Sequence, residues 1–465
     1  MARLRRASRP ESVARSTLTA VRRVRVDAVS VLTVYVVLLY VVPSDRTLAA
    51  LGGAGSPAAL FGVLAGVVWV LYQVSRTEST IDAGRRPLRV ALFLFLAAAI
   101  VSYILAMLRP HPGVEISAAD QGLIRLVSFA GVVLIASDGI RDTDRFHLLL
   151  RRIAFAGALL ALLGLVQFLT KQSFVDSIAI PGFAASQDFS SVQDRSGFAR
   201  AAATATNPLE YAYVLSMILP IALTLALEDT ARSRLRRWLP ASLIIAALAL
   251  SGSRSGIVGL FVTVVLLFPT WTRSIRLRAF FVTVIGAAAI YLFVPGMIGT
   301  LRGLFSSFGQ DPSAASRTDS YQVAGTFIVR NPIFGRGFGT FLPQYRILDN
   351  QILLTIIEIG AVGMCALLGV IVTGIVIVLT ARRRYPDRLF QKLGPALATS
   401  VIAGTLIMAF FDVFSFRMSV GTFFLIVGVC GAYWRIAPTA GHGAAAPPPG
   451  AAVSATGAGR RPAAE

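Results

Sequence analysis

Charged side chains make up only 14% of this 465-residue sequence, against about 25% in an ordinary soluble domain. Hydrophobic residues account for 55%, and mean hydropathy is +0.71. That balance excludes a soluble enzyme and a disordered chain, and it fits a protein whose main solvent is lipid. Cysteine is nearly missing. Cys365 and Cys430 both fall in apolar runs, which excludes a disulfide scaffold and a cysteine metal site and leaves them as buried small hydrophobes. The three histidines, His111, His147 and His442, avoid both long hydrophilic loops, so a histidine metal site or a histidine base there is not expected. Lysine occurs only as Lys171 and Lys392; the other basic residues are Arg, and the net charge is +21. In a soluble protein such charge would suggest nucleic acid. Here most of it lies in short loops between apolar runs, so it reads as membrane orientation and no nucleic-acid partner is expected.

What is present is a series of apolar segments: about 27–43, 57–74, 88–108, 122–137, 148–170, 207–227, 239–251, 255–269, 279–297, 351–380, 394–412 and 418–434. Most approach the roughly 20 residues a spanning helix needs, while the fourth, seventh and eighth are short. The expected fold class is an all-α polytopic membrane protein with about 12 transmembrane helices and a large, partly helical extracytoplasmic loop. No small-residue cleavage site follows the first run, so an uncleaved first span is expected. With the N-terminus inside, the inside segments hold 31 of the 44 Lys and Arg residues. The asymmetry puts both termini in the cytoplasm. Residues 1–26 form a basic tail, 27–434 the membrane domain, and 435–465 an Ala/Gly/Pro tail expected to be disordered.

Two outside loops are long, 171–206 and 298–350, and long loops tend to carry function. The second holds Tyr321, Phe327, Ile328, Phe334, Phe338, Phe341 and Tyr345. Its residues 318–330 predict an amphipathic helix with Val323, Phe327 and Ile328 near one face. Ser316 and Asp319 resemble a capping box, and Asn331-Pro332 ends the helix. The GRGFG at 335–339 is expected to be a flexible turn; it follows no strand, so a dinucleotide reading fails.

Arg200, Arg254 and Arg317 stand at the outer surface, where basic residues are few. Arginine forks match phosphate oxygens in a way lysine does not, so a diphosphate at headgroup level is the natural ligand. The plainer alternative is that each snorkels or pairs with a carboxylate, of which Glu210, Asp319, Asp349 and Glu358 are nearby. Arg195, Arg302, Arg330, Arg336 and Arg346 read as solvated surface. Asp349, at the start of the tenth segment, suits a general base, and equally a helix N-cap or a salt-bridge partner. Glu358, nine residues on, is half a turn round the helix from it and reads as a structural hydrogen-bonding group. Asp142 and Asp144 form a D-x-D in a predicted cytoplasmic loop and read as solvated, and Asp45 alone is weak evidence for an acidic base.

Taken in order, LLALLGLVQFLT at 159–170, RAAATATNPLEYA at 200–212, LALSGSRSGIVGL at 248–260, SRTDSYQVAGTFIVRNPIFGRGFGTF at 316–341 and DNQILLTIIEIGAVG at 349–363 resemble the O-antigen ligase and O-antigen polymerase family of bacterial membrane glycosyltransferases. The likeness covers about 145–430. It implies a fold of the C type of glycosyltransferases in the bacterial cytoplasmic (inner) membrane. It also implies a donor glycan on a polyprenyl diphosphate at the outer face, with a glycan or lipid-linked glycan as acceptor. The family's diphosphate-holding arginines correspond to Arg200, Arg254 and Arg317. Ser253, Asn350, Tyr321 and Glu358 are expected to support them, and no metal or cofactor is implied. Where lipopolysaccharide ligases commonly have His-Asn, this sequence has Asp349-Asn350. An aspartate, with an unperturbed pKa of about 3.9, is the weaker base. The expected reaction is inverting transfer, with a polysaccharide polymerase favoured over a ligase. A transporter or flippase remains the rival from another class, against which stands the scarcity of charge inside the apolar segments.

Overall fold

The computed structural model describes residues 27–75, 86–175, 178, 180–185, 192–195, 198–293 and 312–437. Both tails, 1–26 and 438–465, lie outside them, with His442. So do residues 294–311, which include Arg302. The described residues are mainly helical, with very little strand. The helices are α1 (Ala28–Tyr40), α2 (Pro57–Val74), α3 (Pro87–Met107), α4 (Gly113–Gly139), α5 (Thr143–Thr170), α6 (Pro208–Glu228), α7 (Arg234–Leu250), α8 (Arg254–Leu267), α9 (Arg273–Phe293), α10 (Pro312–Arg330), α11 (Gln351–Ala381), α12 (Arg388–Ile407) and α13 (Arg417–Ile436). Two short antiparallel pairs complete them: β1 (Arg46–Thr47) with β2 (Ala184–Ala185), and β3 (Val192–Arg195) with β4 (Phe198–Ala201).

A helix stands at each of the twelve apolar segments. Among the described residues seven helical stretches are long and apolar enough to cross a membrane: 50–74, α3, α4, α5, α6, α11 and α13. Ala28–Tyr40 and Arg254–Thr270 are apolar but shorter. The helix starts follow local chemistry. Asp27, Ser56, Asp142, Asn207, Asn350 and Asp387 each accept an otherwise unpaired backbone N–H in the first turn.

Helices α6 and α13 are buried nearly all round and form the centre of the bundle. Helix α6 packs against α5, α7, α8 and α12, and α13 against α4, α11 and α12. Small residues allow close approach. A Cβ placed on Gly131 of α4 would stand 2.2 Å from Gly62 O and 2.8 Å from Gly66 Cα of α2.

One end of the bundle is laced by ion pairs: Arg86 and Arg89 with Asp138, Arg145 with Asp27, Arg151 with Asp229, and Arg388 with Glu228. This is the basic face. The loops discussed next lie on the opposite face.

Three expectations need correction. Cys430 is buried but Cys365 is exposed, because its position on α11 points out of the bundle. Helix α4 begins at Gly113, nine residues before its apolar run, because its first turn holds buried Glu115, which has partners of its own. Helix α10 begins at Pro312 and not at 318.

Candidate functional site

The site is built first from the turn preceding α6. In it Ala203 takes a left-handed φ of 54°. The amide of Gln167, from α5, holds it there: Ala203 N donates to Gln167 Oε1 (2.7 Å), and Gln167 Nε2 donates to Ala203 O (3.2 Å). Thr204 Oγ1 donates to Tyr40 O (2.6 Å). The buried Glu210 carboxylate accepts from Thr206 N (2.6 Å), Met418 N (2.7 Å) and Ser44 Oγ (3.2 Å). One carboxylate thus ties together the ends of α1, α6 and α13. Asp45, next to Ser44 in the chain, is buried and lies 3.7 Å from Arg46.

Arg200, the third residue of β4, leaves this scaffold with only 9% of its surface exposed. Its stem passes Gly252: a Cβ placed there would stand 3.9 Å from Arg200 Cγ. Gly252 has φ 58° and turns the chain between α7 and α8. Around it, Ser253 N donates to Ser251 Oγ (3.3 Å), and the hydroxyls of Ser253 and Ser255 are 2.7 Å apart. Arg254 then opens α8, half-buried. The stem of Arg200 therefore lies beside the turn from which Arg254 opens α8, at a helix N-terminus whose free N–H groups and dipole favour an anion. Arg317 belongs to α10 by its backbone, while its side chain lies outside the described residues, as do those of Ser316, Asp319 and Arg195. Tyr321 is exposed.

The second part is the segment between α10 and α11. It is not flexible at GRGFG, as expected from its glycines, but docked. Helix α11 breaks at Gly360 (φ 69°), and the segment fills the break. Arg336 N donates to Ile357 O (2.9 Å), Gly337 N to Glu358 O (2.8 Å), Ala361 N to Pro332 O (2.9 Å) and Val362 N to Ile333 O (3.1 Å). Gly335 (φ 71°) approaches so closely that a Cβ would stand 2.4 Å from Glu358 C. Glu358, buried, accepts from the backbone of Gly339 and Phe341.

Arg336 is not solvated either. It lies 2.5 Å from Glu115 of α4 and 5.3 Å and 4.9 Å from the rings of Phe327 and Tyr345. Arg346 Nε donates to Ser320 Oγ (3.2 Å). The apolar face of α10 closes the arrangement, with Ala324, Phe327 and Ile328 packed on Phe341, Leu348, Leu354 and Ile357.

The third part surrounds Asp349. Asn350, not Asp349, caps α11, accepting from Leu353 N (3.1 Å). Gln351 clamps the start of α11 to the loop after α12: its N–H donates to Met408 O (2.8 Å) and Phe411 O (3.3 Å), and its Oε1 accepts from Phe414 N (2.7 Å). This brings exposed Asp349 into electrostatic contact with Asp412. Burial, and then the neighbouring Asp349 carboxylate, push Asp412 up to about 7, against hydrogen bonds from Ser415 and the charge of Arg125. Arg125, from the middle of α4, acts on both Asp412 and Glu358. The sequence reading missed Arg125, Gln167, Gln351 and Asp412. A lone arginine inside an apolar segment was the available signal, since such a charge needs partners. Asp142 caps α5 by accepting from Arg145 N (2.8 Å), an ordinary structural role.

Residues 239–368 match the family model Wzy_C, O-antigen ligase. The matched stretch takes in most of α7, the Ser251–Ser255 turn, α8, α9, α10, the docked GRGFG segment, Asp349 and the first half of α11. No curated protein matches the chain.

Proposed function

The chain carries an O-antigen ligase/polymerase-type domain of glycan assembly at residues 239–368, and from it we propose a glycosyltransferase at the outer face of the bacterial cytoplasmic membrane. Its donor is a glycan on a polyprenyl diphosphate, and its product is a longer cell-surface polysaccharide. The observation that carries this reading is the passage of the Arg200 stem beside Gly252, two residues from Arg254 at the start of α8.

In this account Arg200, Arg254 and Arg317 hold the diphosphate, helped by the N–H groups of the Ser253 turn. The acceptor hydroxyl oxygen attacks the anomeric carbon from the side opposite the diphosphate. The bond from that carbon to the diphosphate oxygen breaks, and its electron pair leaves with the diphosphate. The arginines stabilise that developing charge. The hydroxyl proton passes to the Asp349 carboxylate. Configuration inverts, and the residues named need no metal. In this account twelve helices cross the membrane with both termini cytoplasmic, which leaves the turn and the docked loop outside.

A ligase that moves finished glycan to a lipid, protein or wall acceptor is the second reading, favoured by the description of the matched family. The test is the purified protein supplied with lipid-linked glycan extracted from its source cells as both donor and acceptor. A ladder of longer glycans with free polyprenyl diphosphate supports the polymerase. Transfer only after a separate acceptor is added supports the ligase. Absence of any transfer under both conditions overturns the enzyme reading.

A further inference from the structure

Helices α1 and α7 both pack on α5, and a groove of about 1120 Å³ runs along this side of the bundle. That exceeds the ~300–1,000 Å³ of an ordinary small-molecule pocket. On α1 it extends from Ser30 to Val41, and on α5 from Leu148 to Leu163. At 1.5 Å per residue these are roughly 16 and 22 Å, more than one leaflet of a ~30 Å hydrocarbon core. Its walls are apolar, and Val37, Val41, Phe155 and Leu159 remain half-exposed, so the groove opens sideways to the bilayer.

Only its end at the basic face is charged. Arg151, Arg152, Arg232, Arg236 and Arg237 line it against a single carboxylate, Asp229. Asp229 is already committed to Arg151, whose Nε and Nη2 donate to it at 2.7 and 2.8 Å. Arg152 donates to Thr33 Oγ1 (2.7 Å). Among the described residues three arginines remain beyond these pairs, and Nε of Arg237 is buried with no hydrogen-bond partner. An apolar slot open to the bilayer and ending in excess guanidinium groups has the charge and shape of an acidic phospholipid's complement.

We propose that this groove binds one acidic phospholipid, its acyl chains along Val37, Phe155 and Leu159 and its phosphate among Arg232, Arg236 and Arg237. The far end of the groove reaches Tyr40 and, in the turn before α6, Thr204, but Arg200, Gly252 and Arg254 do not line it, and the proposal does not depend on the reading of the turn at Gly252. The basic tail 1–26, with eight arginines and one glutamate, does not match the charge of the groove. Arginine clusters at the cytoplasmic end of a helix commonly recognise anionic lipid.

Native mass spectrometry of the full chain, delipidated and then titrated with phosphatidylglycerol or phosphatidylcholine, tests this. One phosphatidylglycerol should bind in preference to phosphatidylcholine. Arg236→Ala/Arg237→Ala should weaken it about 25-fold, at about fivefold per arginine. Val37→Trp should weaken it too, by filling the slot while leaving the arginines in place. Arg383→Ala, which removes an exposed charge from the same face outside the groove, should change nothing. Equal binding of the two lipids, or undiminished binding by both groove variants, overturns the proposal. So does selective binding of polyprenyl diphosphate at these arginines with none of phosphatidylglycerol.

Discussion

The guanidinium of Arg336 lies 2.5 Å from the carboxylate of Glu115, joining the loop before α11 to the first turn of α4. Tyr345 and His111 add hydrogen bonds to the same carboxylate. Replacing Arg336 with Ala leaves a fully buried carboxylate short of its cation. Breaking such a pair costs about 3–5 kcal/mol when both groups are buried; Arg336 is 18% exposed, so the lower end is expected. Arg336→Ala should lower the unfolding temperature and open 331–350 to protease, as judged by limited digestion in detergent. Arg336→Lys should recover only part, since lysine cannot reproduce the fork.

Gly335 and Gly360 should tolerate no side chain. Both have φ near 70°, and a Cβ on Gly360 would stand 2.2 Å from Ile333 O. Left-handed backbone costs a non-glycine residue about 1–2 kcal/mol, and the clash with backbone adds to it. Gly335→Ala and Gly360→Ala should each destabilise by more than that. Gly325→Ala on α10, where a Cβ meets nothing within 4 Å, should be neutral or stabilising by about 0.5–1 kcal/mol. Thermal unfolding of the three variants side by side is the measurement.

Asp412 predicts a pH dependence. Its carboxyl is pushed from the usual value of 3.8 to about 7, so between those values the folded protein holds a proton the unfolded chain has released. Its contribution to stability is therefore greatest below about pH 4, falls as pH rises toward 7, and is flat above. Asp412→Asn removes the charge but keeps an acceptor for Ser415. The variant should be more stable than wild type at pH 8 and should lose most of its advantage at pH 4. Unfolding temperatures across that range check the sign.

Asp349 should be needed for turnover and not for folding. It is exposed and does not cap α11, so Asp349→Ala should leave the unfolding temperature within about 1–2 °C, since exposed substitutions change stability by at most about 0.5 kcal/mol. Loss of a general base should slow transfer about 10²–10⁴-fold. Asp349→His should restore part of the rate and move the acidic limb of the pH profile upward, toward the ordinary range of histidine near 6.5.

The helices were legible because burial in lipid and hydropathy are nearly the same quantity along a sequence. The docked glycine segment was not. GRGFG has the composition of a mobile turn, and its rigidity comes from the break at Gly360 more than twenty residues later. Arg200 and Arg254 were visible as misplaced charges and Glu210 as a nearby carboxylate, but the turns that set Arg200 beside Gly252 depend on Gln167, which looks unremarkable in sequence, and on a Glu210 whose carboxylate binds backbone N–H groups. Asp412 is separated from Asp349 by more than sixty residues, and only the clamp at Gln351 places them together. Such pairings are tertiary facts that no local pattern carries.

The most direct test of the account is the rate of polyprenyl diphosphate release by purified Arg254→Ala and Arg200→Ala, measured against wild type with lipid-linked glycan as substrate. Both variants should insert and fold normally while release falls by about 10²–10³-fold, as expected when a charge-stabilising donor is removed. Release at the wild-type rate by both would contradict a diphosphate site at this turn.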